Sequence, residues 1–394
     1  MSGPEQQDEV RTPVGLWLVG ARGSVATTTF TGAIGVAGGL APPTGLVTMQ
    51  PPLTGVGLPP LESFALGGHD VVETPLAVRA ARLVDGGALP VGLPEAVGDR
   101  LSEVEAELRP GITWQEARTD PRRAVDRVAG DLAGFRERHG LEHLVVVNLA
   151  STEPPAASHP SHLDPEALNR ALSGRLAVLP PSSLYALAAI EAGCAFVDFT
   201  PSAGARLPAL VQLAERNSLP LAGSDGKTGE TLIKTTLAPA FRSRALRVRS
   251  WSATNILGGA DGEALSDPER ARSKLQSKGR CLEEILGYAV ESPVAIENVR
   301  DLGEWKTAWD HIAFEGFLGV RMRMQFTWEG CDSALAAPLV LDLARLMTLA
   351  LERGEGGELA ELAFFFKDPV GTDVHSLERQ YARLCEWAAQ EIAV

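Results

Sequence analysis

The length, composition and charge of the chain exclude several classes of protein. Its 394 residues are 45% hydrophobic and 22% charged, which is typical of a globular protein with two or three domains and not of a disordered or fibrous chain. Fifty acidic and 36 basic side chains give a net charge of −14, which would repel nucleic acid over most of the surface. Residues 1–11 lack the pattern of a secretory signal, and no run of about twenty apolar residues predicts a membrane span. We therefore expect a cytoplasmic protein that binds neither nucleic acid nor membranes.

The cysteines predict neither a disulfide framework nor a zinc site. They are widely spaced, with no CxxC pair and no histidine partner nearby: Cys194, Cys281, Cys331 and Cys385. We expect buried free thiols and no dedicated metal site.

Lysine is unusually rare among the basic residues. Of the 36 basic side chains only six are lysines, and all six follow residue 226: Lys227, Lys234, Lys274, Lys278, Lys306 and Lys367. Arginine supplies positive charge elsewhere, so each lysine is a candidate for a task that arginine performs badly. Such tasks include a titratable ammonium group or a compact charge against a phosphate.

The first predicted elements follow the order strand, glycine turn and helix of a dinucleotide-binding fold. Residues 15–19 form a short apolar run, and small residues from 27 to 38 predict a helix. Glycines between them let backbone N–H groups approach a pyrophosphate, and a helix N-terminus favours its negative charge. The candidate cofactor-binding residues of this turn are Gly20, Ala21, Arg22, Gly23, Ser24 and Val25. Because the spacing is GxxGxxA rather than GxGxxG, an ordinary tight turn is almost as well supported.

The acid that would bind a ribose hydroxyl comes later than the fold usually places it. Residues 41–60 are rich in proline and glycine and predict an irregular segment that ends at residues 66–70. Asp70 is the candidate ribose ligand, with plain turn chemistry as the alternative. We expect His69 to be its neighbour rather than a catalyst. Arg22 could meet the 2′-phosphate of NADP.

Apolar strands then alternate with helices. Residues 83–110 predict loop and helix, and residues 118–139 predict an amphipathic helix. Further strands are predicted at 144–147, 195–199 and 219–222, and further helices at 164–172, 185–192 and 207–216. The alternation predicts an α/β fold with a Rossmann-like, doubly wound parallel sheet. Ligands bind beyond the carboxyl ends of such strands, which adds the cofactor-binding candidates Asn148, Ser151, Thr152, Thr200, Ser202 and Asp225.

The pattern changes after residue 231. Strand-like stretches at 248–253 and 319–328 flank a predicted helix at 269–286. Residues 334–351 predict a buried helix, and the apolar run at 362–366 could return to the first sheet. We therefore predict a nucleotide-binding domain of residues 12–231 and 336–394, with an inserted α+β domain at residues 232–335.

The lysines lie in motif-like surroundings. Lys227 belongs to a turn, residues 223–231, whose hydroxyl groups and backbone donors suit a phosphate, although a glycine-rich loop would look the same. Lys274 and Lys278 are four residues apart, and this spacing favours an anion between them. Lys306 and Lys367 are bordered by bulky apolar residues, where desolvation can lower a lysine pKa enough for proton transfer. Each of these two could instead be an extended surface lysine.

In these blocks the chain resembles the myo-inositol-1-phosphate synthase family, and its archaeal and bacterial branch in particular. The resemblance runs from about residue 14 to residue 369. It is densest in GSDGKTGETLIKTTLAP (223–239), TNILGGADG (254–262), ARSKLQSK (271–278), WKTAWD (305–310), CDSALAAPLVLD (331–342) and AFFFKDP (363–369).

The resemblance implies a homotetrameric, NAD-dependent isomerase that converts glucose 6-phosphate to inositol 1-phosphate. Oxidation at C5, enolisation, aldol ring closure and re-reduction would follow one another, with the inserted domain serving catalysis and tetramerisation. Carried over by motif, the catalytic residues are Lys274, Lys306, Lys367, Asp225 and Asp332. The substrate-binding residues are Lys278, Thr228, Gly229, Glu230, Asn255 and Asp261, to which the turn adds Lys227. A divalent or monovalent cation is compatible with the family, but the sequence contains no ligand cluster for one.

Several departures from the family pattern concern the substrate. Relatives read SYN where this chain has Ala253-Thr254-Asn255, residues 259–260 are smaller than usual, Trp305 replaces a small or polar residue, and Asp368 replaces a common serine. If C6 attacked the C2 ketone of fructose 6-phosphate, the same lysines would make a five-membered cyclopentane cyclitol phosphate, which is the alternative function. A simple NAD-dependent dehydrogenase and a catalytically dead NAD-binding protein are two further alternatives. The four intact motif lysines argue against both.

Overall fold

The computed structural model describes residues 13–258 and 281–390. Its strands are β1 (Val14–Val19), β2 (Phe64–Asp70), β3 (Leu108–Pro110), β4 (His143–Asn148), β5 (Ala195–Asp198), β6 (Pro220–Gly223), β7 (Arg247–Leu257), β8 (Val294–Asn298), β9 (Trp305–Glu315), β10 (Arg321–Cys331) and β11 (Gly357–Glu358). Its helices are α1 (Ser24–Ala37), α2 (Leu76–Asp85), α3 (Leu93–Ala96), α4 (Gly98–Glu107), α5 (Trp114–Thr119), α6 (Pro121–His139), α7 (Pro165–Ser173), α8 (Pro181–Glu191), α9 (Pro208–Arg216), α10 (Glu230–Ser243), α11 (Asp332–Glu352) and α12 (Leu377–Ala388). Residues 281–286 are also helical.

The first sheet has seven parallel strands in the order β11-β6-β5-β4-β1-β2-β3. The chain runs outward from β1 to β3, returns to β4 on the other side of β1, and continues outward to β6. This is the predicted Rossmann-like, doubly wound sheet, whose strand order reverses between β1 and β4. Both faces are covered, which explains the nearly uninterrupted apolar character of β1 and β4.

Strand β2 departs from the sequence analysis, which assigns residues 66–70 to the end of an irregular segment. These residues instead pair in register with β1, so that Gly67 lies opposite Trp17. A Cβ atom at Gly67 would lie 2.8 Å from the indole ring of Trp17, and the close approach of that ring therefore requires glycine. The glycines that suggested a turn mark tight packing inside a strand.

The second sheet has the order β10-β9-β7-β8 and lies entirely within residues 247–331. Strand β9 is antiparallel to both of its neighbours, whereas β7 and β8 are parallel. One face buries Trp251 and Ile312 against Phe241 of α10 and Leu282 of the helical segment 281–286. Along the chain, this mixed sheet lies between strands β6 and β11 of the first sheet.

Helix α11 returns the chain to the first domain and packs against α1 and β4. By length and composition alone it could cross a membrane, but 72% of its most apolar window is buried within the fold. Asp342 accepts hydrogen bonds from the backbone N–H groups of Val47 (2.7 Å) and Thr48 (3.0 Å), and Arg345 donates to the carbonyl oxygen of Pro59 (2.8 Å). The helix therefore anchors the irregular segment 41–60, and burial raises the pKa of Asp342 to about 6.

The predicted return of residues 362–366 to the first sheet is wrong. Residues Ala360–Phe365 form a 3₁₀ helix, and β11 reaches the sheet instead, where it pairs with β6. Phe365 and Phe366 are buried in the core beside this edge. The chain that follows them pairs with the loop after β6, since the backbone N–H of Lys367 donates to the carbonyl oxygen of Asp225 at 2.7 Å.

Candidate active site

The carboxyl ends of the first sheet face the second sheet across a cavity of about 130 Å³. Residues from the predicted catalytic and substrate-binding sets line it: Asp225, Thr228, Gly229, Glu230, Asn255, Lys306, Asp332 and Lys367. Three of the predicted cofactor-binding residues join them: Val25, Thr152 and Thr200. The fold thus brings together positions that are up to about 340 residues apart in the chain.

Lys367 and Asp225 form the first ion pair of the cavity. Lys367 Nζ lies 2.8 Å from Asp225 Oδ1, and both side chains are buried, with 11% and 7% of their surface exposed. The backbones around them also pair, because Ser224 N–H donates to the carbonyl oxygen of Asp368 and Asp368 N–H to that of Ser224. The loop after β6 and the segment after Phe366 therefore hold the lysine and the carboxylate in a fixed relation.

Lys306 and Asp332 form the second ion pair. Lys306 Nζ of β9 lies 2.5 Å from Asp332 Oδ1 at the first residue of α11, and the hydroxyl of Thr228 donates to the same oxygen at 3.2 Å. The ammonium group also lies 5.6 Å from the centroid of the Trp328 ring, within the range of a cation–π contact. One carboxylate oxygen thus joins the second sheet to the turn that precedes α10.

Gly229 makes room for the Lys306 ammonium. A Cβ atom at Gly229 would lie 2.8 Å from both Lys306 Nζ and Trp328 Cζ2. Gly229 is also the N-cap residue of α10, and residues 228–231 line the cavity. The free backbone N–H groups of a helix N-terminus bind phosphate well, which supports the prediction that this turn holds a phosphate.

Glu230 enters the cavity with its charge already balanced. Its Oε2 accepts a hydrogen bond from Asn255 Nδ2 at 2.7 Å, and its Oε1 lies 2.5 Å from Nζ of Lys234, which is fully buried. A carboxylate repels phosphate, so we expect Glu230 to bind a phosphate only through its backbone N–H. The sequence analysis gives Lys234 no role, although the i,i+4 spacing of glutamate and lysine on one helix was a visible signal.

Lys227 does not reach the cavity, which corrects the expectation that its side chain binds the substrate. Its Nζ donates a hydrogen bond to Oε1 of Gln380 in α12 at 2.5 Å, and only 4% of the residue is exposed. Burial lowers the pKa of Lys227 to about 7. Thr228 faces the cavity, whereas the Lys227 side chain points away from the cavity, where its contact with α12 buries it.

The predicted nucleotide turn has the donors and the acid that a dinucleotide requires. It follows β1, Gly20 has a φ of +83°, and the α1 N-cap is Gly23, which leaves the first-turn amides of the helix for a ligand anion. Asp70 ends β2, where its carboxylate accepts from the backbone N–H groups of Arg22 (2.7 Å) and Val72 (2.9 Å). The segment 41–60 lies between α1 and β2 and explains why this acid comes late in the chain. These residues fit NAD.

The remaining cofactor-binding candidates divide into two groups. Thr152 and Thr200 line the cavity, whereas Asn148 and Ser202 hold internal hydrogen bonds and Ser151 is exposed outside the cavity. Asn148 Nδ2 donates to Oδ1 of Asp198 at 3.1 Å, and the hydroxyl of Thr200 donates to the same oxygen at 2.8 Å. Burial raises the pKa of Asp198 to about 7. The sequence analysis overlooked Asp198, although an acid at the end of an apolar strand was a visible signal.

Three predicted residues lie outside the described parts of the chain: Lys274, Lys278 and Asp261. Within residues 13–258 and 281–390, no group of three or more histidine, cysteine or acidic side chains is arranged to hold a metal ion. Each cysteine is a free thiol; Cys385 is partly exposed, and the other three are buried.

A sequence model of the myo-inositol-1-phosphate synthase family matches residues 14–389. The chain belongs to this family. The match covers both sheets and confirms the resemblance that the lysine motifs carry. It also confirms the predicted NAD dependence and the predicted class of enzyme.

Individual members of the family align over different shares of their length. The inositol-3-phosphate synthase 1 of Bacteroides thetaiotaomicron is 31% identical over 397 residues, which cover 93% of this chain and 91% of the relative. The inositol-3-phosphate synthases of Drosophila melanogaster and Saccharomyces cerevisiae are 29% and 30% identical, over 73% and 65% of this chain. The alignments span 54% and 49% of those two relatives, about half of their length.

Solved structures of the family share the fold. The inositol-3-phosphate synthase of Caenorhabditis elegans has a TM-score of 0.86 at 22% identity, over 96% of this chain and 85% of the other. A myo-inositol-1-phosphate synthase-related protein from Thermotoga maritima has a TM-score of 0.78 at 24% identity, over 97% and 100%. These likenesses confirm the predicted fold class.

Proposed function

We propose that this member of the family converts glucose 6-phosphate to myo-inositol 1-phosphate. The observation that carries the proposal is the convergence of two lysine–carboxylate pairs, Lys367–Asp225 and Lys306–Asp332, on one cavity that Val25 of the nucleotide-binding helix also lines. A dehydrogenase that released NADH would need one proton acceptor at the oxidised carbon. Ring closure needs a second cationic group, where a carbonyl becomes an alkoxide.

The first pair suits the chemistry at C5. When bound, NAD accepts a hydride from C5 and returns it after ring closure, so that the overall reaction has no net redox change. We assign Lys367 to the C5 oxygen, which loses its proton as the ketone forms and regains one at the end. Asp225 holds Lys367 at 2.8 Å and can exchange that proton with it. The C5 ketone acidifies the protons on C6, one of which passes to the phosphate dianion that the substrate itself carries, and the ammonium group stabilises the resulting enolate.

The second pair suits the ring closure. The C6 carbanion attacks the C1 aldehyde, a C6–C1 bond forms, and the C1 oxygen gains negative charge and then a proton. We assign Lys306 to this oxygen, since its ammonium is held between Asp332 and the Trp328 ring. The turn 228–230 at the N-terminus of α10 would fix the phosphate on C6, together with Lys278 if the family motif holds here.

The cyclopentane alternative rests on departures from the family pattern. The four substituted positions that the structure describes, Ala253, Thr254, Trp305 and Asp368, do not line the cavity. Trp305 directs its indole N–H away to the carbonyl oxygen of Gly86 at 2.9 Å. Asp368 pairs with Arg206 at 2.9 Å, and Ala253 is buried within β7. These positions therefore give no support to a pocket rebuilt for a ketose, and the aldose remains the better candidate.

The test is to incubate the protein and NAD with glucose 6-phosphate and, separately, with isomerase-free fructose 6-phosphate, and to identify the dephosphorylated product by carbon NMR. We expect inositol from the glucose ester only and no accumulation of NADH. The Lys306→Met variant should form no ring, whereas Lys227→Met is a matched control because Lys227 lies outside the cavity. A branched cyclopentane polyol from the fructose ester, or stoichiometric NADH with no ring, would refute the proposal.

We further propose that the protein is a homotetramer that associates through the second sheet. Apolar side chains are exposed on this domain, including Trp309 in β9 and the hairpin residues Phe317, Leu318 and Val320, with 87% of Phe317 exposed. Patches of this kind mark contact surfaces, and β10 is an open sheet edge. Light scattering should give four times the chain mass of 41.7 kDa, and a monomer mass would refute the proposal.

A further inference from the structure

A short hydrogen-bonded chain joins the second sheet to the N-terminus of α1. The hydroxyl of Ser24, the first residue of α1, donates to Oε1 of Glu304 at 2.9 Å. Nη2 of Arg79 in α2 donates to the same hydroxyl at 2.7 Å and lies 3.9 Å from the Glu304 carboxylate. The Arg79 and Glu304 side chains keep 22% and 20% of their surface exposed, so both can be reached from solvent.

The next residue strengthens this connection. The indole N–H of Trp305 donates to the carbonyl oxygen of Gly86, which ends α2, at 2.9 Å. Glu304 thus contacts Arg79 of α2, Trp305 contacts the C-cap residue of the same helix, and Lys306 of the second ion pair follows them directly. These contacts connect the first residue of α1 to the start of β9.

Glu304 occupies an unusual place for a carboxylate in an NAD-dependent enzyme. An anion at a helix N-terminus is stabilised by the helix dipole and by hydroxyl donors, so Glu304 is favourable there while no nucleotide is bound. The same position repels a pyrophosphate that binds to the first turn of α1. Arg79 has the opposite preference, because its guanidinium group can hold either the carboxylate or a phosphate.

We propose that Arg79 binds the pyrophosphate of the cofactor and that Glu304 is the counter-ion that Arg79 and Ser24 leave when the cofactor binds. Glu304 is then a positioning residue that opposes cofactor binding and links it to the strand that carries Lys306. The inference rests on NAD binding, which the family assignment shows, and does not depend on the identity of the sugar phosphate.

The test is isothermal titration calorimetry on nucleotide-free protein with NAD, ADP-ribose and adenosine. In the Glu304→Gln variant we expect affinity for NAD and for ADP-ribose to rise about fivefold, and affinity for adenosine to stay unchanged, because adenosine has no pyrophosphate. Arg79→Gln should weaken the binding of NAD and ADP-ribose about tenfold. The gain from Glu304→Gln should be smaller when it is introduced together with Arg79→Gln, since part of that gain comes from releasing Arg79.

Glu166→Gln is the matched control, because it removes an equal charge from an exposed ion pair with Arg216 on α7 and α9. It should leave all three affinities unchanged. A gain in affinity cannot come from misfolding, so the Glu304 variant remains informative even if Arg79→Gln is unstable. Unchanged or weaker NAD binding in Glu304→Gln, or an equal gain for adenosine, would overturn the inference. Failure of the unaltered protein to bind NAD would overturn the cofactor assignment as well. That outcome can be distinguished from failure of the inference alone, in which the unaltered protein still binds NAD.

Discussion

The position of Lys306 can be disturbed by one methyl group without removing a catalytic side chain. Alanine at Gly229 would place its Cβ atom 2.8 Å from Lys306 Nζ and from Trp328 Cζ2, whereas ordinary contact begins near 3.4 Å. The ammonium group must therefore move by about 0.6 Å, as the difference between those two distances requires. A shift of that size away from the turn stretches or breaks its 2.5 Å hydrogen bond to Asp332.

The expected consequence is a loss of turnover. A misplacement of about 1 Å costs roughly a hundredfold in rate, so a shift of about half that size should lower kcat on the order of tenfold to thirtyfold. NAD affinity should stay unchanged, because the nucleotide turn lies on a different strand. Steady-state formation of inositol phosphate gives kcat, and calorimetry with NAD shows whether the first domain is intact.

Gly130→Ala in α6 is the matched control, since a Cβ atom there would meet nothing within 4 Å and the substitution favours the helix. It should retain full activity. If Gly229→Ala keeps kcat within twofold of the unaltered enzyme while NAD binding is normal, the position of the Lys306 ammonium does not limit the reaction and the reasoning fails.

Three further predictions concern charged side chains outside the two ion pairs of the cavity. The pKa of Lys227 is about 7 in place of 10.5, so the folded state binds fewer protons than the unfolded state between about pH 7 and 10.5. The free energy of unfolding therefore rises with pH in this range. Urea unfolding curves of Lys227→Met should show a smaller rise. The pKa of Asp198 is about 7 in place of 3.8, and its effect on stability has the opposite sign. The free energy of unfolding falls as the pH rises from about 4 to 7, because the folded state binds more protons than the unfolded state. Asp198→Asn mimics the protonated acid and should remove that fall in the same assay. Glu105 binds the guanidinium of Arg22, whose backbone N–H donates to Asp70, so Glu105→Gln should free the Arg22 side chain and raise the affinity for NADP relative to NAD several-fold in calorimetry. An unchanged ratio would contradict this account.

The sequence predicted the parts of the fold whose signals are local. Strands β4, β5 and β6 lie within two residues of their predicted bounds, because apolar runs between proline and glycine punctuation need no distant partner to be recognised. Strand β2 was missed because Gly67 is required by its close contact with the Trp17 ring, and Trp17 lies 50 residues earlier in the chain. The segment 362–366 was misassigned for a related reason, since an apolar run does not show whether phenylalanines face a sheet neighbour or a helical core.

The sequence predicted the site residues that lie in recognisable motifs, but not the contacts between distant parts of the chain. The resemblance supplied the catalytic roles of Lys306, Lys367 and their carboxylates. Reasoning from the residues supplied the rarity of lysine and the strand-end candidates Thr152, Thr200 and Asp225, which line the cavity. The turn 223–231 offered no way to tell that Lys227 points away from the cavity, because its partner Gln380 lies 153 positions later. The i,i+4 spacing of Glu230 and Lys234 was a visible signal for their ion pair, but the nearly complete burial of both side chains could not be predicted from that spacing.

The rarity of lysine has a physical explanation in the structure. Every lysine in the described parts of the chain is buried or nearly so, and each lies within hydrogen-bonding distance of one side-chain oxygen, on Gln380, Glu230, Asp332 or Asp225. An ammonium group is compact and its pKa can be moved by desolvation, whereas a guanidinium group is larger, stays charged and spreads its donors over a planar fork. Next to Gly229, where even one additional carbon atom collides with the Lys306 ammonium, an arginine head would not fit. In the described parts of the chain, lysine therefore occupies buried or nearly buried positions that need a compact charge, and two of these, Lys306 and Lys367, line the cavity.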